Sequence, residues 1–145
     1  MNEPVWILRE IVDGLHEQLL AHHGGAPGLR DEGLLQSALA RPQQIFAYST
    51  ECDIPKLAAA YVAGLVRNHP FVDGNKRTGF MLEYIFLERN GFSFSASEAE
   101  AAQAVLELAA GTVEEAGFAE FLRDHTKRSA TAKRATGKAG KKKPG

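Results

Sequence analysis

At 145 residues, 44% hydrophobic and 24% charged, the chain is long enough for one domain with a buried core. It has no run of 18 apolar residues and no basic leader ahead of an apolar stretch, which excludes an obvious membrane span and gives the expectation of a soluble, cytoplasmic protein. The single cysteine, Cys52, excludes an internal disulfide or a thiolate zinc site, and the net charge of -1 hides a strong asymmetry. Residues 127 to 145 hold eight cations and no acid; removing these from the 17 leaves nine cations against 18 acids in residues 1 to 126. The expected organisation is therefore a folded body of formal charge -9 over 1 to 126 and a disordered basic tail over 127 to 145. Such a tail suits at most weak, salt-dependent contact with nucleic acid.

Within the body, apolar residues recur at helical spacing. Asn2 as cap and Pro4 in the first turn predict a helix to His22 that buries Ile7, Ile11, Leu15 and Leu19. HHGGAPG breaks it. Asp31 caps a second helix, with Leu34, Leu35, Ala38 and Leu39 inward, which Pro42 ends at Arg41; QQIFAYS, bracketed by Pro42 and STECD, is then the expected extended segment. A third helix runs from Pro55 to about His69. A fourth, over 75 to 89, is apolar on nearly all sides and is expected to cross the middle of the fold before Asn90 and Gly91 close it. Ser97 caps a fifth helix to about Ala110, and a sixth covers 114 to 125. The fold class expected is all-α: a compact single-domain bundle of about six helices with at most a short extended flap.

Between the third and fourth helices lies HPFVDGNKRTGF, residues 69 to 80. Pro70 stops one helix just after His69, and Gly74 permits a left-handed turn that lets N–H groups converge on an anion. Lys76 and Arg77 then stand in the first turn of the next helix, where the macrodipole is already positive; this costs stability unless an anion binds there. Phosphate is the expected guest. Asp73 suits Mg²⁺, a hard ion that shares its shell between carboxylate, phosphate oxygens and water. His69 suits the role of base toward an attacking hydroxyl, since histidine is the side chain that exchanges a proton most readily near neutral pH. Together these parts predict group transfer from a nucleotide to a hydroxyl. An ordinary helix-to-helix turn, with Phe71 and Val72 plugging the core, explains each residue singly but not the paired cations. His16 and His22 are six apart on a helix and no HExxH occurs, so no metal site is expected there.

His69, Phe71, Asp73, Gly74, Asn75, Lys76 and Arg77 match, in order and spacing, the signature His-x-Phe-x-(Asp/Glu)-Gly-Asn-(Gly/Lys)-Arg, and the chain thereby resembles the Fic/Doc superfamily. GGAPGLRDEGLLQSALARPQ at 24 to 43 and FLERNG at 86 to 91 resemble the Doc branch, so the likeness covers about residues 5 to 125. The resemblance implies that His69 is the general base, that Asp73 holds Mg²⁺, and that Asn75, Lys76 and Arg77 hold the phosphates of ATP. Gly74 makes the turn and Thr78 adds a hydroxyl contact. Adenylylating relatives carry Gly at position 76 and Arg at position 80. Lys76 and Phe80 here imply instead the Doc-like reaction, in which the γ-phosphate passes to a Ser or Thr hydroxyl. By resemblance the protein is the toxin of a type II toxin-antitoxin pair, a protein kinase whose leading target is elongation factor Tu, arresting translation. The inhibitory pattern (Ser/Thr)-x-x-x-Glu-(Gly/Asn) is absent: Glu32-Gly33 has Gly28 four before the acid. Restraint is therefore expected from a separate Phd-like antitoxin. Residues 43 to 50 would occupy the place of the family's target-positioning flap. The alternatives are a Fic-type nucleotidyl (AMP) transferase and a catalytically idle binding module whose tail contacts nucleic acid.

Overall fold

The computed structural model describes residues 1–129. In chain order the elements are α1 (Arg9–His23), α2 (Glu32–Tyr48), α3 (Ile54–Asn68), α4 (Asn75–Arg89), β1 (Phe92–Phe94), α5 (Glu98–Ala110), α6 (Glu115–Asp124) and β2 (Thr126–Arg128). The all-α bundle is as expected, with one two-stranded antiparallel ribbon added, in which Phe92, Ser93 and Phe94 pair with Arg128, Lys127 and Thr126.

α3 occupies the centre, packing on α2, α4, α5 and α6. Every residue from Leu57 to Leu65 is buried, and the small side chains Ala58, Ala59, Ala60, Ala63 and Gly64 let neighbours come close. A Cβ at Gly64 would lie 3.0 Å from the Ala38 Cβ of α2, so this crossing requires glycine. α4, expected in the middle, instead lies against one side of α3 and keeps one face half open. What fits the interior is a helix of small residues, not the one with the largest apolar groups.

Local signals hold where side-chain caps decide. Asp31 accepts from the Leu34 N–H at 2.9 Å, and Ser97 and Glu100 satisfy each other's backbone N–H groups at the start of α5. Three expectations fail for tertiary reasons. Residues 1 to 8 are not helical: the Val5 N–H and carbonyl pair with the Asn90 side chain, and the Ile7 N–H donates to the Tyr61 hydroxyl at 3.2 Å, so α1 starts only at Arg9. Pro42 does not end α2, which continues to Tyr48 and makes all of QQIFAYS but its last residue, the C-cap Ser49, helical. An interior proline costs about 3 kcal/mol, and burying Leu35, Ala38 and Pro42, with Ile45 and Phe46 packed on the core, outweighs it. Finally, Lys127 and Arg128 belong to β2, so the folded chain reaches past 126; three-residue strands are too short to show a period. The tail from 130 onward, and any nucleic-acid contact through it, lie outside the described residues.

Candidate active site

α3 ends at His69, whose backbone is left-handed (φ 52, ψ 53) and whose N–H still closes on the Leu65 carbonyl at 3.1 Å. It is the only non-glycine residue at positive φ among the described residues. A left-handed histidine is uncommon and is held here by its surroundings. Arg30 donates from Nε to the His69 carbonyl (2.7 Å) and from Nη2 to the Asn68 carbonyl (2.8 Å). The N–H groups of Arg30 and Asp31 both donate to the Pro70 carbonyl, at 2.7 and 3.0 Å. The carbonyls at the end of α3 are thus capped by one guanidinium and the Pro70 carbonyl beyond them by two amides, while the His69 residue is exposed to solvent.

The turn that follows is anchored at Phe71. Its ring is buried and stacks on His16 of α1, 3.7 Å between centroids and 11° between planes. Nε2 of His16 donates to the Asp73 carbonyl at 2.8 Å, the tautomer following from the carbonyl's acceptor-only chemistry. Asn75 is buried and grips the same residue twice: its Oδ1 accepts from the Phe71 N–H at 3.0 Å and its Nδ2 donates to the Phe71 carbonyl at 2.9 Å. Gly74 turns the chain at φ 86; a Cβ there would meet the His16 ring at 3.4 Å.

α4 then opens without a side-chain cap. Its first internal bond runs from the Thr78 N–H to the Gly74 carbonyl at 2.9 Å, and the Gly74 N–H is taken by Asp73 Oδ1 at 2.8 Å. Among the described residues the N–H groups of Asn75, Lys76 and Arg77 meet no acceptor. The side chains of Lys76 and Arg77 are exposed and form no ion pair among the described residues. Three amides and two cations therefore face one region of solvent, an arrangement complementary to a multiply charged anion.

A glycine-rich loop borders this region. Gly28 accepts from the Val72 N–H at 3.0 Å, and Leu29 bridges Phe71 antiparallel. Asp73 Oδ2 accepts from the Ala26 N–H at 3.3 Å, and a Cβ on Gly25 would fall 2.8 Å from that oxygen, so only glycine allows the loop to lie so close. Asp73 is exposed, and with one N–H on each oxygen it retains lone pairs for a cation; a carboxylate so placed fits the requirement of Mg²⁺ for hard oxygen donors.

Residues 6–87, more than half of the chain, match the Fic/DOC family. The chain belongs to the Fic/Doc family. It is 33% identical over 109 residues to "Protein kinase doc" of Escherichia phage P1, covering 75% of this chain and 86% of that protein. It is 45% identical over 76 residues to "Toxin Doc" of Mycolicibacterium smegmatis, covering 50% of this chain and 57% of that one.

In this Fic/Doc protein, His69, Asp73, Gly74, Asn75, Lys76 and Arg77 lie together in the turn from α3 into α4, in different surroundings. Asn75 leaves only its backbone N–H open, because its side chain is closed on Phe71. Thr78 is fully buried and its Oγ1 meets no partner among the described residues, so it does not present at the surface the hydroxyl expected for a ligand contact. Thr78 and Gly79 share the side of α4 that packs inward, Gly79 against Val62 of α3. The segment 43 to 50, expected as the flap, is helical as far as Tyr48 and far away. α2 runs antiparallel to α3, so that Asn68 Nδ2 donates to the Leu34 carbonyl, whereas Ser49 and the Glu51 carbonyl meet Lys56 at the other end of α3. Fifteen helical residues put about 20 Å between the ends. The segment beside the motif is the Gly24–Arg30 loop.

His16, Arg30 and Gly25 are the positioning residues that sequence reading missed. His16 follows Val12 by four on the buried stripe of α1, and a polar side chain on an apolar stripe is the signal that could have found it. No helix of the described residues is long and apolar enough to cross a membrane.

Proposed function

We propose that this protein is a Doc-type toxin acting as a protein kinase, which transfers the γ-phosphate of ATP to a Ser or Thr hydroxyl of a translation factor, with elongation factor Tu the leading candidate. One observation carries the reading: a solvent-exposed histidine fixed at the end of α3 lies across a tight turn from the unpaired amides and cations that open α4. Similarity to a relative named as a protein kinase supports the choice of phosphoryl transfer. Phe80, where a second arginine would be needed to hold a terminal phosphate in the nucleotidyl-transfer sense, supports the same choice.

In this reading the acceptor hydroxyl gives its proton to the imidazole of His69 as its oxygen bonds to the γ-phosphorus; the bond from that phosphorus to the β–γ bridging oxygen breaks, and ADP leaves with the electron pair. Lys76, Arg77 and the three free amides hold the phosphate oxygens and balance charge on the transferred group. Asp73 would hold Mg²⁺, which supplies further charge neutralisation on the phosphates. The Gly24–Arg30 loop, already bridged to Phe71, takes over the target-positioning role first given to 43 to 50. Restraint comes from a Phd-like antitoxin, and the setting is the cytoplasm, where ATP and translation factors meet.

The test is to incubate the purified full chain with cell lysate and ATP labelled at either the γ or the α phosphorus. Label from the γ position alone should reach a protein acceptor, and the double change His69→Ala with Asp73→Ala should abolish it and relieve growth arrest. Transfer of α label would establish a nucleotidyl transferase in its place. No transfer of either label, with growth arrest unchanged in the double variant, would leave the idle binding module.

A further inference from the structure

Arg30 stands at the end of the loop that borders the motif, and its guanidinium forms no ion pair among the described residues. Its hydrogen bonds go instead to two consecutive backbone carbonyls, from Nη2 to Asn68 at 2.8 Å and from Nε to His69 at 2.7 Å. We infer that Arg30 is a positioning residue for the base: by fixing the backbone on both sides of the His69 Cα it aims the imidazole, and so governs the rate of transfer rather than the binding of ATP. The inference rests on the reading of His69 as the base and adds what places it.

Three features argue for this role. The first is the placing of the two bonds. Each peptide unit is planar, so the direction of its carbonyl fixes the orientation of the whole unit. The Asn68 carbonyl belongs to the plane before the His69 Cα and the His69 carbonyl to the plane after it, and φ and ψ of His69 are the rotations between those planes. One rigid guanidinium fork thus holds both angles of the one left-handed non-glycine residue among the described residues. The second is that the imidazole has no hydrogen bond or ring contact of its own among the described residues, so it goes where the backbone directs its Cβ. Glycine or asparagine is the usual residue at a helix end of this conformation, and a histidine there needs a support that glycine would not. The third is that the fork is itself anchored. The Arg30 N–H donates to the Pro70 carbonyl at 2.7 Å, and Asn68 Nδ2 donates to the Leu34 carbonyl of α2 at 3.0 Å. Arg30 therefore ties the loop bordering the site to the base.

The test compares full-length wild type, Arg30→Ala and Arg30→Lys, with His69→Ala as control, and circular dichroism checks that each variant is folded. Arg30 is exposed, so its loss should leave the fold intact. Transfer of γ label to the acceptor in cell lysate, followed against ATP concentration, should show kcat lowered about tenfold to 10²-fold in Arg30→Ala, the loss a misplaced catalytic group brings. KM for ATP should stay within about twofold. Arg30→Lys keeps the charge but not the fork, and its kcat should stay within about threefold of that of Arg30→Ala. Guanidinium ion added below denaturing concentrations should restore part of the rate to Arg30→Ala and none to His69→Ala. The Cα and Cβ resonances of His69, which report its backbone conformation, should move in Arg30→Ala. Unmoved His69 resonances in folded Arg30→Ala, or a rate kept in full by Arg30→Ala or Arg30→Lys, would overturn the inference, while loss of transfer in His69→Ala would keep the base reading standing. Transfer undiminished in His69→Ala, or absent from the wild type, would overturn the base reading and this inference with it.

Discussion

α4 carries two sets of polar groups without protein partners, about 9 Å apart along its axis, and they have opposite fates. At its opening turn, Lys76, Arg77 and three amides face solvent. In its middle, the Glu83 carboxyl is fully buried and neither oxygen meets a partner among the described residues; burial pushes its pKa up from the ordinary 4.5 to about 9. The first set lies open to water, which can solvate it. The second cannot be solvated and gives up its charge by holding a proton. An unpartnered polar group marks a site only where something can reach it. The Thr78 hydroxyl, buried and unpartnered like Glu83, falls on the wrong side of that line although it lies next to Arg77 in sequence.

This contrast can be broken or sharpened by substitution. The largest expected effect is at the open end: His69→Ala should lower phosphotransfer by about 10²–10⁴-fold, the usual contribution of a general base, without changing the melting temperature, because the side chain is exposed. Single-turnover rates with γ-labelled ATP check the first part and calorimetry the second.

Glu83 should show the reverse. The folded state keeps its proton from about 4.5 to about 9, a range in which the unfolded chain has lost it, so stability falls as pH rises through that window, by at most about 1.4 kcal/mol per pH unit. Glu83→Gln removes the titration. Denaturant unfolding at pH 5, 7 and 9 should show a declining wild type and a flatter variant, with phosphotransfer at pH 7 little altered. Equal slopes in the two proteins would show that the carboxyl is solvated after all.

His16→Ala should affect both ends. It removes the stack on Phe71 and the bond to the Asp73 carbonyl, costing about 1–3 kcal/mol in stability and also lowering transfer through a loosened turn. Asp31→Ala should have the smallest effect, about 1 kcal/mol for a lost helix cap, with the rate per folded molecule unchanged. Urea midpoints measured alongside rates separate the two cases.

Much of this arrangement is legible in the sequence where causes are local. Asp31 and Ser97 announce caps, and HPFVDGN carries its own turn chemistry in Pro70 and Gly74. The site is legible for the same reason: its cations and carboxylate lie within a few residues of one another. What the sequence does not reveal depends on distant partners. Asn90 and Tyr61 hold residues 5 and 7 out of α1, and packing on α3 carries α2 through Pro42. The roles of Asn75 and Thr78 could not be told apart by spacing, since only the direction of each side chain decides that one locks Phe71 and the other sinks into the bundle. His16, 57 residues from Asp73, becomes part of the site only through the α1–α4 contact.

The most direct test of the central claim, that the opening turn of α4 cradles a triphosphate, is a titration of isotopically labelled full chain with ATP and magnesium, followed by amide resonances. The account predicts large, saturable shifts at the N–H groups of Asn75, Lys76 and Arg77 and little change around Glu83. Saturable nucleotide binding that leaves those three amides unmoved would contradict it.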